Sequence, residues 1–281
     1  RLEKLNENNS FIFFNNNLSQ EESLNEIKKY DITTIYHMAA RAGVRQSFLD
    51  PQSYIEDNTY ATANVSMFCK EMEIPEIILA STSSIYGDSG ENLMIEDKDE
   101  KIKPPSVYAS TKLSGESLSK IILEDTNTNL IISRFFTVYG PYGRPDMSIL
   151  RFIHWIMNEE NVKVFGNGEQ QRSFTYIQDV VDALIRMSGL EKSYTFNVGS
   201  NITVSLNEVI KLIEEFSGKN ANIENLERAY KDPYVVRPNL ENIKKTLGWK
   251  PTTLIQEGIE KTVLWYKENQ NYLKELIYVN E

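Results

Sequence analysis

The chain has 281 residues, of which 41% are hydrophobic and 25% charged, as in an ordinary globular protein of one large or two smaller domains. A formal net charge of -10 argues against nucleic acid as a partner, because such binding rests on phosphate neutralisation. One cysteine, Cys69, and two histidines, His37 and His154, exclude a disulfide framework and a typical zinc site. No apolar run is long enough to cross a membrane and no signal peptide is evident, so we expect a cytoplasmic protein with no membrane partner.

Strands and helices alternate along the first half of the chain. Short apolar runs predict strands at 11–14, 33–37, 76–80 and 130–135. Capping residues and the placement of charges predict helices at 19–30, 51–73 and 106–124. Ser19 is the candidate N-cap of the first of these helices. The alternation predicts an α/β fold, with a doubly wound parallel sheet of Rossmann type.

The composition of the chain changes after about Gly140. Loops rich in glycine and proline appear at 140–145 and 166–168, and helical patterns follow at about 148–159, 178–189, 205–217 and 255–270. We predict a Rossmann-like domain over residues 1–140 and a smaller, mixed domain over 141–281, with residues 172–200 contributing elements back to the first. Ligands of a doubly wound sheet bind at the carboxyl ends of its strands, so residues that follow strands are the first candidates for a site.

The spacing of Tyr108 and Lys112 indicates catalysis. The two residues lie one helical turn apart and share a face, and Tyr108 follows Thr82 by 26 residues. A nearby ammonium lowers the pKa of a phenol, giving a base that can take the proton of an alcohol held by Thr82. Because side chains do not accept hydride, the natural acceptor is a nicotinamide cofactor. The alternative is an exposed Tyr and Lys on a helix that follows an ordinary turn.

Other candidate residues are ambiguous by themselves. Residues 37–40 (His-Met-Ala-Ala) end a strand with small side chains that would let a flat cofactor approach, although tight packing of strand against helix explains them better. Asn58 lies in a polar part of a helix, which is typical of a solvated side chain. Arg172 and Arg237 could clamp a diphosphate bidentately or remain solvated. None of the 13 glycines falls in a G-x-G-x-x-G spacing.

Taken together, the motifs resemble those of the extended short-chain dehydrogenases/reductases, the nucleotide-sugar epimerase and dehydratase family. The resemblance covers essentially the whole chain. It is carried by His37–Ala40, Ser81–Gly87, Tyr108–Lys112, Arg134–Pro141 and Arg172–Tyr176. Within the family, residues 39–45 and 136–147 most resemble those of the UDP-glucuronate 4-epimerases. This resemblance implies an NAD-dependent enzyme with an NAD-binding domain over 1–140 and mainly nucleotide-sugar binding over 141–281.

The resemblance also implies a role for each matching residue. Tyr108 would be the catalytic base, Lys112 its partner and a ligand of the nicotinamide ribose, and Thr82 a hydrogen-bonding partner of the sugar hydroxyl. Contacts to NAD would come, besides Tyr108 and Lys112, from Leu18, His37, Ala39, Ala40, Asn58, Ser81 and Phe135. Contacts to the UDP-sugar would come from Ser83, Ser84, Thr137, Arg144, Phe165, Arg172 and Arg237. The adenine contacts are the weakest part of the match, because Asn17-Leu18 stands where the family usually has Asp-Leu.

The serine run narrows the reaction that the resemblance implies. Family dehydratases resemble Thr-Asp-Glu at this place and decarboxylases Thr-Ser-Glu, whereas Thr82-Ser83-Ser84 carries no carboxylate. We therefore expect 4-epimerisation through a 4-keto intermediate. Thr137 stands where UDP-glucose epimerases usually have Asn, which favours UDP-glucuronate to UDP-galacturonate. A UDP-glucose or UDP-N-acetylglucosamine 4-epimerase, or a nucleotide-sugar dehydratase or decarboxylase, stays an alternative.

The start of the chain departs from the family pattern. Members open with a strand, a glycine-rich loop and a helix that seat the NAD pyrophosphate, and Arg1–Leu5 resembles a stretch beyond them. A further alternative is therefore an inactive fragment, or a nucleotide-sugar binder without cofactor. The family usually dimerises through two helices, here expected at about 51–72 and 106–124. Synthesis of polysaccharide precursors is the pathway that the resemblance suggests.

Overall fold

The computed structural model describes residues 2–88, 90, 93–96, 102–227 and 233–277. The chain divides into two compact units. Unit 1 comprises Arg1–Ile77 and Ser106–Leu130, and unit 2 comprises Ile78–Pro105 and Ile131–Glu281. The predicted division at about residue 140 stays a prediction.

Unit 1 is mainly helical. Its elements are helix α1 (Leu2–Asn6), a 3₁₀ helix (Glu21–Ile27), strand β1 (Thr34–His37), a second 3₁₀ helix (Gln46–Phe48), α2 (Pro51–Tyr54), a π-helical segment (Ile55–Tyr60), α3 (Ala61–Glu71) and α4 (Val107–Leu123). The predicted helix over 51–73 is thus confirmed, with a π segment inside it that the sequence did not indicate. The predicted helix over 106–124 is confirmed with nearly the same bounds.

Local capping and close packing explain the long helices of unit 1. The Ser106 side chain accepts a hydrogen bond from the Ala109 N–H at 3.1 Å and begins α4. Helices α3 and α4 pack closely, with the buried Ser66 and Ser119 hydroxyls 2.8 Å apart. Gly115 allows this approach, because a Cβ there would lie 3.2 Å from the Thr62 methyl group.

Two predictions for the first 30 residues are wrong. The apolar run at 11–14 is not a strand, and the Ile12 and Phe13 side chains are 57% and 50% exposed, so the run lacks the burial that favours a strand there. The segment 19–30 holds a 3₁₀ helix instead of an α-helix. The expected cap does not form, because the Ser19 hydroxyl donates to Asn17 Oδ1 at 3.0 Å.

A four-stranded sheet has the order β1-β2-β3-β8, in which β2 is Glu76–Thr82, β3 is Asn129–Phe135 and β8 is Tyr194–Val198. Strands β3 and β8 are parallel, with Ile131 opposite Tyr194 and Phe135 opposite Val198. All seven side chains of β2 are buried, as expected for a strand covered on both faces. The predicted strands at 33–37, 76–80 and 130–135 are confirmed, and the fold is α/β.

Unit 2 also contains short strands in small sheets. Strand β4 (Thr137–Tyr139) is parallel to β7 (Phe174–Tyr176), and β5 (Asn161–Phe165) is parallel to β10 (Asn222–Leu226). Strand β6 (Gln171–Arg172) lies between β9 (Val204–Ser205) and β11 (Val235–Val236). The helices of unit 2 are α5 (Ser148–Met157), α6 (Ile177–Met187), α7 (Leu206–Ser217), α8 (Glu241–Leu247), α9 (Ile255–Glu268) and α10 (Gln270–Ile277).

Two of the apolar cores that the described residues form lie in unit 2. One joins α5, β5, α7 and α9 through buried side chains such as Ile153, Val162, Ile213 and Ile259. The other is centred on Phe196 and Trp249. Among the helices that the structure describes, none is long and apolar enough to cross a membrane. The same residues contain no cluster of three or more groups suited to binding a metal ion.

Candidate active site

Helix α4 carries both residues of the predicted catalytic pair. The Tyr108 side chain is partly buried, and its ring meets the Tyr54 ring edge to face with centroids 6.4 Å apart. The Lys112 side chain, one turn further on, is only 5% exposed. Burial lowers the pKa of Lys112 to about 8, against an opposing attraction from Glu116. The interpretation of Lys112 as an ordinary surface lysine is therefore excluded.

His37 ends β1 in the same unit and is buried. Its Nε2 lies 3.0 Å from the hydroxyl of Thr62 in α3. Burial, and to a smaller extent the positive charge of Lys112, lowers the pKa of His37 to about 4. The imidazole is therefore neutral at pH 7, as a buried histidine beside a cation must be.

Asn58 connects the loop after β1 with helix α4. Its Oδ1 accepts from the Arg41 N–H at 2.7 Å, and its Nδ2 donates to the Arg41 carbonyl and to Thr111 Oγ1, both at 3.0 Å. The side chain is 1% exposed, so the interpretation as a solvated asparagine is wrong. These bonds fix the backbone that follows Ala39 and Ala40, whose side chains are exposed.

Unit 2 holds the serine run, in which Thr82 was predicted to bind the sugar hydroxyl, Ser81 to contact NAD, and Ser83 and Ser84 to contact the UDP-sugar. Thr82 caps the 3₁₀ helix Ser83–Tyr86: its Oγ1 accepts from the Ser84 N–H at 3.1 Å and donates to Ser84 Oγ at 3.2 Å. Ser81 and Thr82 are buried, whereas Ser83 and Ser84 are partly exposed. The turn therefore presents three hydroxyls from consecutive residues and no carboxylate.

The two arginines predicted to clamp a diphosphate come from neighbouring strands of unit 2. Val236 of β11 is the register partner of Arg172 in β6, and Arg237 follows directly. The Arg172 guanidinium is braced by its own strand, with Nη1 donating to the Gln171 carbonyl at 2.7 Å. Arg237 has an exposed side chain. The sheet thus brings together two arginines that are 65 positions apart in the sequence.

The other predicted site residues are spread over several elements. Thr137 begins β4 and Phe165 ends β5, where the Phe165 carbonyl accepts from Gln170 Nε2 at 2.9 Å. Arg144 forms an ion pair with Asp146 in the loop that precedes α5. Phe135 ends β3 opposite Val198. The Leu18 carbonyl, in unit 1, accepts from Asn64 Nδ2 at 2.9 Å.

The sequence analysis did not single out Thr62 or Thr111 as site residues. Each holds a predicted site residue in place, Thr62 at His37 and Thr111 at Asn58. Thr111 lies inside the Tyr108–Lys112 segment, which was the available signal. For Thr62 the sequence offers no signal, because its partner is 25 residues away.

Comparison with known proteins identifies the family. The sequence profile of the NAD dependent epimerase/dehydratase family matches residues 1–199. The chain belongs to this family. It is 37% identical over 278 residues to the UDP-glucuronate 4-epimerase of Thermodesulfobacterium geofontis (strain OPF15), a match that covers 98% of the chain and 85% of the relative. It is 31% identical to the probable UDP-glucuronate 4-epimerase of Rhizobium meliloti (strain 1021), over 84% of the chain and 74% of the relative.

Solved structures of similar proteins agree with the fold. The UDP-glucuronic acid 4-epimerase of Bacillus cereus, in complex with UDP-glucuronic acid and NAD, has 30% identity and a TM-score of 0.84. That match covers 95% of the chain and 85% of the other. MoeE5 in complex with UDP-glucuronic acid and NAD has 31% identity and a TM-score of 0.82, over 90% of the chain and 83% of the other.

The residues of unit 1 fit the NAD that this family uses. Lys112 is a buried cation whose three N–H donors suit the hydroxyls of a ribose. The exposed, small Ala39 and Ala40 leave their backbone open to a flat ring, and the Asn58 hydrogen bonds hold the next residue. A neutral His37 adds no second positive charge beside Lys112.

Proposed function

We propose that this protein is an NAD-dependent UDP-sugar 4-epimerase that interconverts UDP-glucuronate and UDP-galacturonate. The observation that carries the proposal is the buried Lys112 one turn from Tyr108 on α4, in a chain that belongs to the epimerase/dehydratase family. A lysine buried at a cost in solvation, with its pKa shifted by that burial, is typical of a functional site. The relatives that bear this activity in their names support the choice of reaction.

Tyr108 is the base in this proposal. The Lys112 ammonium favours the ionised phenol, which takes the proton of the sugar 4-hydroxyl and returns it when the alcohol re-forms. Lys112 and Asn58 hold and orient the cofactor, with Leu18, His37, Ala39, Ala40, Ser81 and Phe135 as its further contacts. NAD, when bound, would supply a reversible acceptor for the hydride from C4 of the sugar. Thr82 hydrogen-bonds the reacting hydroxyl.

The substrate assignment rests on the side chains of Thr82, Ser83 and Ser84, which are three hydroxyls and include no carboxylate. Ser83, Ser84 and Thr137 offer donors to a sugar carboxylate, which can only accept hydrogen bonds. A carboxylate in the turn would repel a uronate and would supply the extra acid or base that dehydration needs. Arg172 and Arg237 bind the diphosphate in this proposal, since paired guanidinium groups match phosphate geometry. Arg144 and Phe165 complete the nucleotide-sugar contacts.

Incubation of the purified protein with UDP-glucuronate and NAD tests the function directly. We expect UDP-galacturonate to form, and the two sugars to reach the same ratio from either side. Tyr108→Phe is expected to slow turnover by about 100-fold to 10,000-fold, the range for loss of a general base, while UDP still binds. Tyr272→Phe is the matched control, because Tyr272 is 36% exposed on α10 and has no role in the proposed site. Full activity of Tyr108→Phe would overturn the role of Tyr108, and no product from any UDP-sugar would overturn the function.

We also propose that two copies associate through α2, the π segment, α3 and α4. Tyr60, Met67 and Ile121 on these elements are 60%, 53% and 69% exposed, and they are the large apolar side chains that a second copy would cover. Sedimentation velocity tests the dimer: a monomer at micromolar concentration would contradict it.

The assignment to the cytoplasm rests on the single buried Cys69, and the assignment to polysaccharide precursor synthesis rests on the proposed product. We further propose that residues 1–140 chiefly bind the cofactor and residues 141–281 the nucleotide sugar.

A further inference from the structure

A buried polar network lies inside unit 2. Arg134 of β3 is 1% exposed, and its Nη1 donates to Tyr86 Oη at 3.0 Å and to the Glu96 carbonyl at 3.1 Å. The Tyr86 hydroxyl donates in turn to Oδ1 of Asn197, a fully buried residue of β8, at 2.7 Å. The Glu96 carboxylate accepts from the Asn197 N–H at 2.9 Å. Every one of these four side chains is less than one tenth exposed.

One end of this network fixes the backbone from Arg237 to Asn239. The Asn197 amide donates to the Met94 carbonyl at 2.9 Å and to the Asn239 carbonyl at 3.2 Å. Met94 in turn bonds to this segment through both of its peptide groups: its N–H donates to the Arg237 carbonyl at 3.0 Å, and its carbonyl accepts from the Asn239 N–H at 2.8 Å. Arg237 therefore has an exposed side chain on a backbone held by buried bonds.

The other end fixes the serine turn. Tyr86 is the last residue of the 3₁₀ helix Ser83–Tyr86, which Thr82 caps. The Arg134 guanidinium also lies over the Tyr86 ring, 5.2 Å from its centroid. The phenol hydroxyl thus links the turn that carries Thr82 and Ser84 to Asn197, whose amide holds the segment that follows Arg237.

The cost of burying these groups indicates that the network does more than stabilise the fold. Buried charged and polar clusters are often replaced by well-packed apolar side chains with no loss of stability. None of the four side chains is among those proposed to bind the substrate. Their hydrogen bonds hold two backbone segments that carry substrate-binding residues, namely Arg237–Asn239 and the turn that Thr82 caps.

We propose that Tyr86, Glu96, Arg134 and Asn197 form a positioning network that sets Arg237 for the diphosphate and the Thr82–Ser84 turn for the sugar. Tyr86 is the shared member and therefore a positioning residue for both. This proposal rests on the proposed function, because it assigns Arg237 and Thr82 to one UDP-sugar. Its consequence is that a change at a buried phenol weakens recognition of a phosphate group that the phenol never touches.

Tyr86→Phe tests the network, because it removes the shared hydroxyl and leaves the ring. We expect its dissociation constant for UDP to rise by about 5-fold to 10-fold, at the lower end of couplings between sites, while that for uridine, which has no phosphate, stays unchanged. Turnover of UDP-glucuronate at saturation falls as well, since the same hydroxyl holds the turn that carries Thr82. Tyr266→Phe is the matched control: that phenol is 2% exposed and hydrogen-bonds His154 and Asn158, which belong to neither of the segments that the network holds.

Asn197→Asp provides a second test should Tyr86→Phe fail to fold. It keeps an acceptor for Tyr86 but replaces the amide that donates to Met94 and Asn239 by an oxygen that repels their carbonyls. We expect the same selective loss of UDP over uridine. Equal UDP affinity in either folded variant and the wild type would overturn the network while leaving the epimerase intact. Wild-type protein that binds neither UDP nor UDP-glucuronate would instead overturn the proposed function, and the network with it.

Discussion

Lys112→Met is expected to make the protein more stable while it destroys turnover. The Lys112 side chain is 5% exposed, and its burial lowers the pKa from an ordinary 10.5 to about 8. At about 1.4 kcal/mol for each pKa unit, this difference corresponds to about 3 kcal/mol by which burial disfavours the charged form. Methionine fills a similar volume without a charge. We therefore expect the free energy of unfolding at pH 7 to rise by about 1–3 kcal/mol, measured by urea denaturation of protein freed of nucleotide.

The pH dependence of this gain is the sharper signature. Between pH 8 and pH 10.5 the unfolded wild-type chain binds a proton at Lys112 that the folded protein has lost, so wild-type stability rises with pH. Lys112→Met lacks this rise, and its advantage shrinks above pH 8 and is gone above about pH 10.5. Lys120→Met, an exposed position on the same helix, is the control and should leave stability unchanged.

Two results would refute this reasoning. Equal or lower stability of Lys112→Met at pH 7 would show that the Lys112 charge is well compensated in the folded protein. A gain that stays constant up to pH 11 would show that better packing, and not the removed charge, is its cause. Turnover is measured in parallel, and we expect a loss of at least about 100-fold, because the variant lacks the ammonium beside Tyr108.

Three further changes test other parts of the structure. Between pH 6.5 and pH 4 the wild type should lose up to about 3 kcal/mol of its free energy of unfolding, because only the unfolded chain binds a proton at His37. His37→Gln should remove this loss when unfolding is measured as a function of pH. A variant with the same pH dependence as the wild type would contradict a buried neutral His37. Gly258→Ala should lower the free energy of unfolding in urea by about 1–3 kcal/mol, because the new Cβ would clash with Tyr139 Oη. Tyr139→Phe should restore part of this loss, and additive losses in the double variant would disprove the clash. Asn58→Leu should destabilise by about 2–4 kcal/mol, since it leaves the Arg41 N–H and carbonyl and the Thr111 hydroxyl without these bonds. A loss within experimental error would show that water replaces them.

Helices with side-chain caps were the elements that could be predicted best. Ser106 caps α4, and Ser205 forms a full capping box with Glu208 at the start of α7, so both begin where the sequence indicates. Strands β6, β9 and β11 have two residues each, which is too short for any periodic pattern. Their positions depend on pairing between segments far apart in the chain, and so does the proximity of Arg172 and Arg237.

Burial of polar side chains was the main property that the sequence could not reveal. Asn58 lies among polar residues, and only the partners Arg41 and Thr111, 17 and 53 positions away, account for its burial. Arg134 shows the same effect, since its partners Tyr86 and Glu96 come from other parts of the chain. The family motifs indicated which residues matter, but not which neighbours hold them.

The π-helical segment Ile55–Tyr60 makes the chain sensitive to length at one place. There the Ala61 N–H bonds to the Glu56 carbonyl five residues earlier, so the turn accommodates one residue more than an α-helical turn does. Deleting one residue after Asn58 would let the turn close with α-helical pitch. Helix α3 would then keep the same face against α4. Asn58 itself would rotate by about 100° around the helix axis. A single deletion would thus separate the Asn58 amide from its hydrogen-bonding partners while all of them are still present. Substitutions, which keep the length of the chain, do not test this dependence on length.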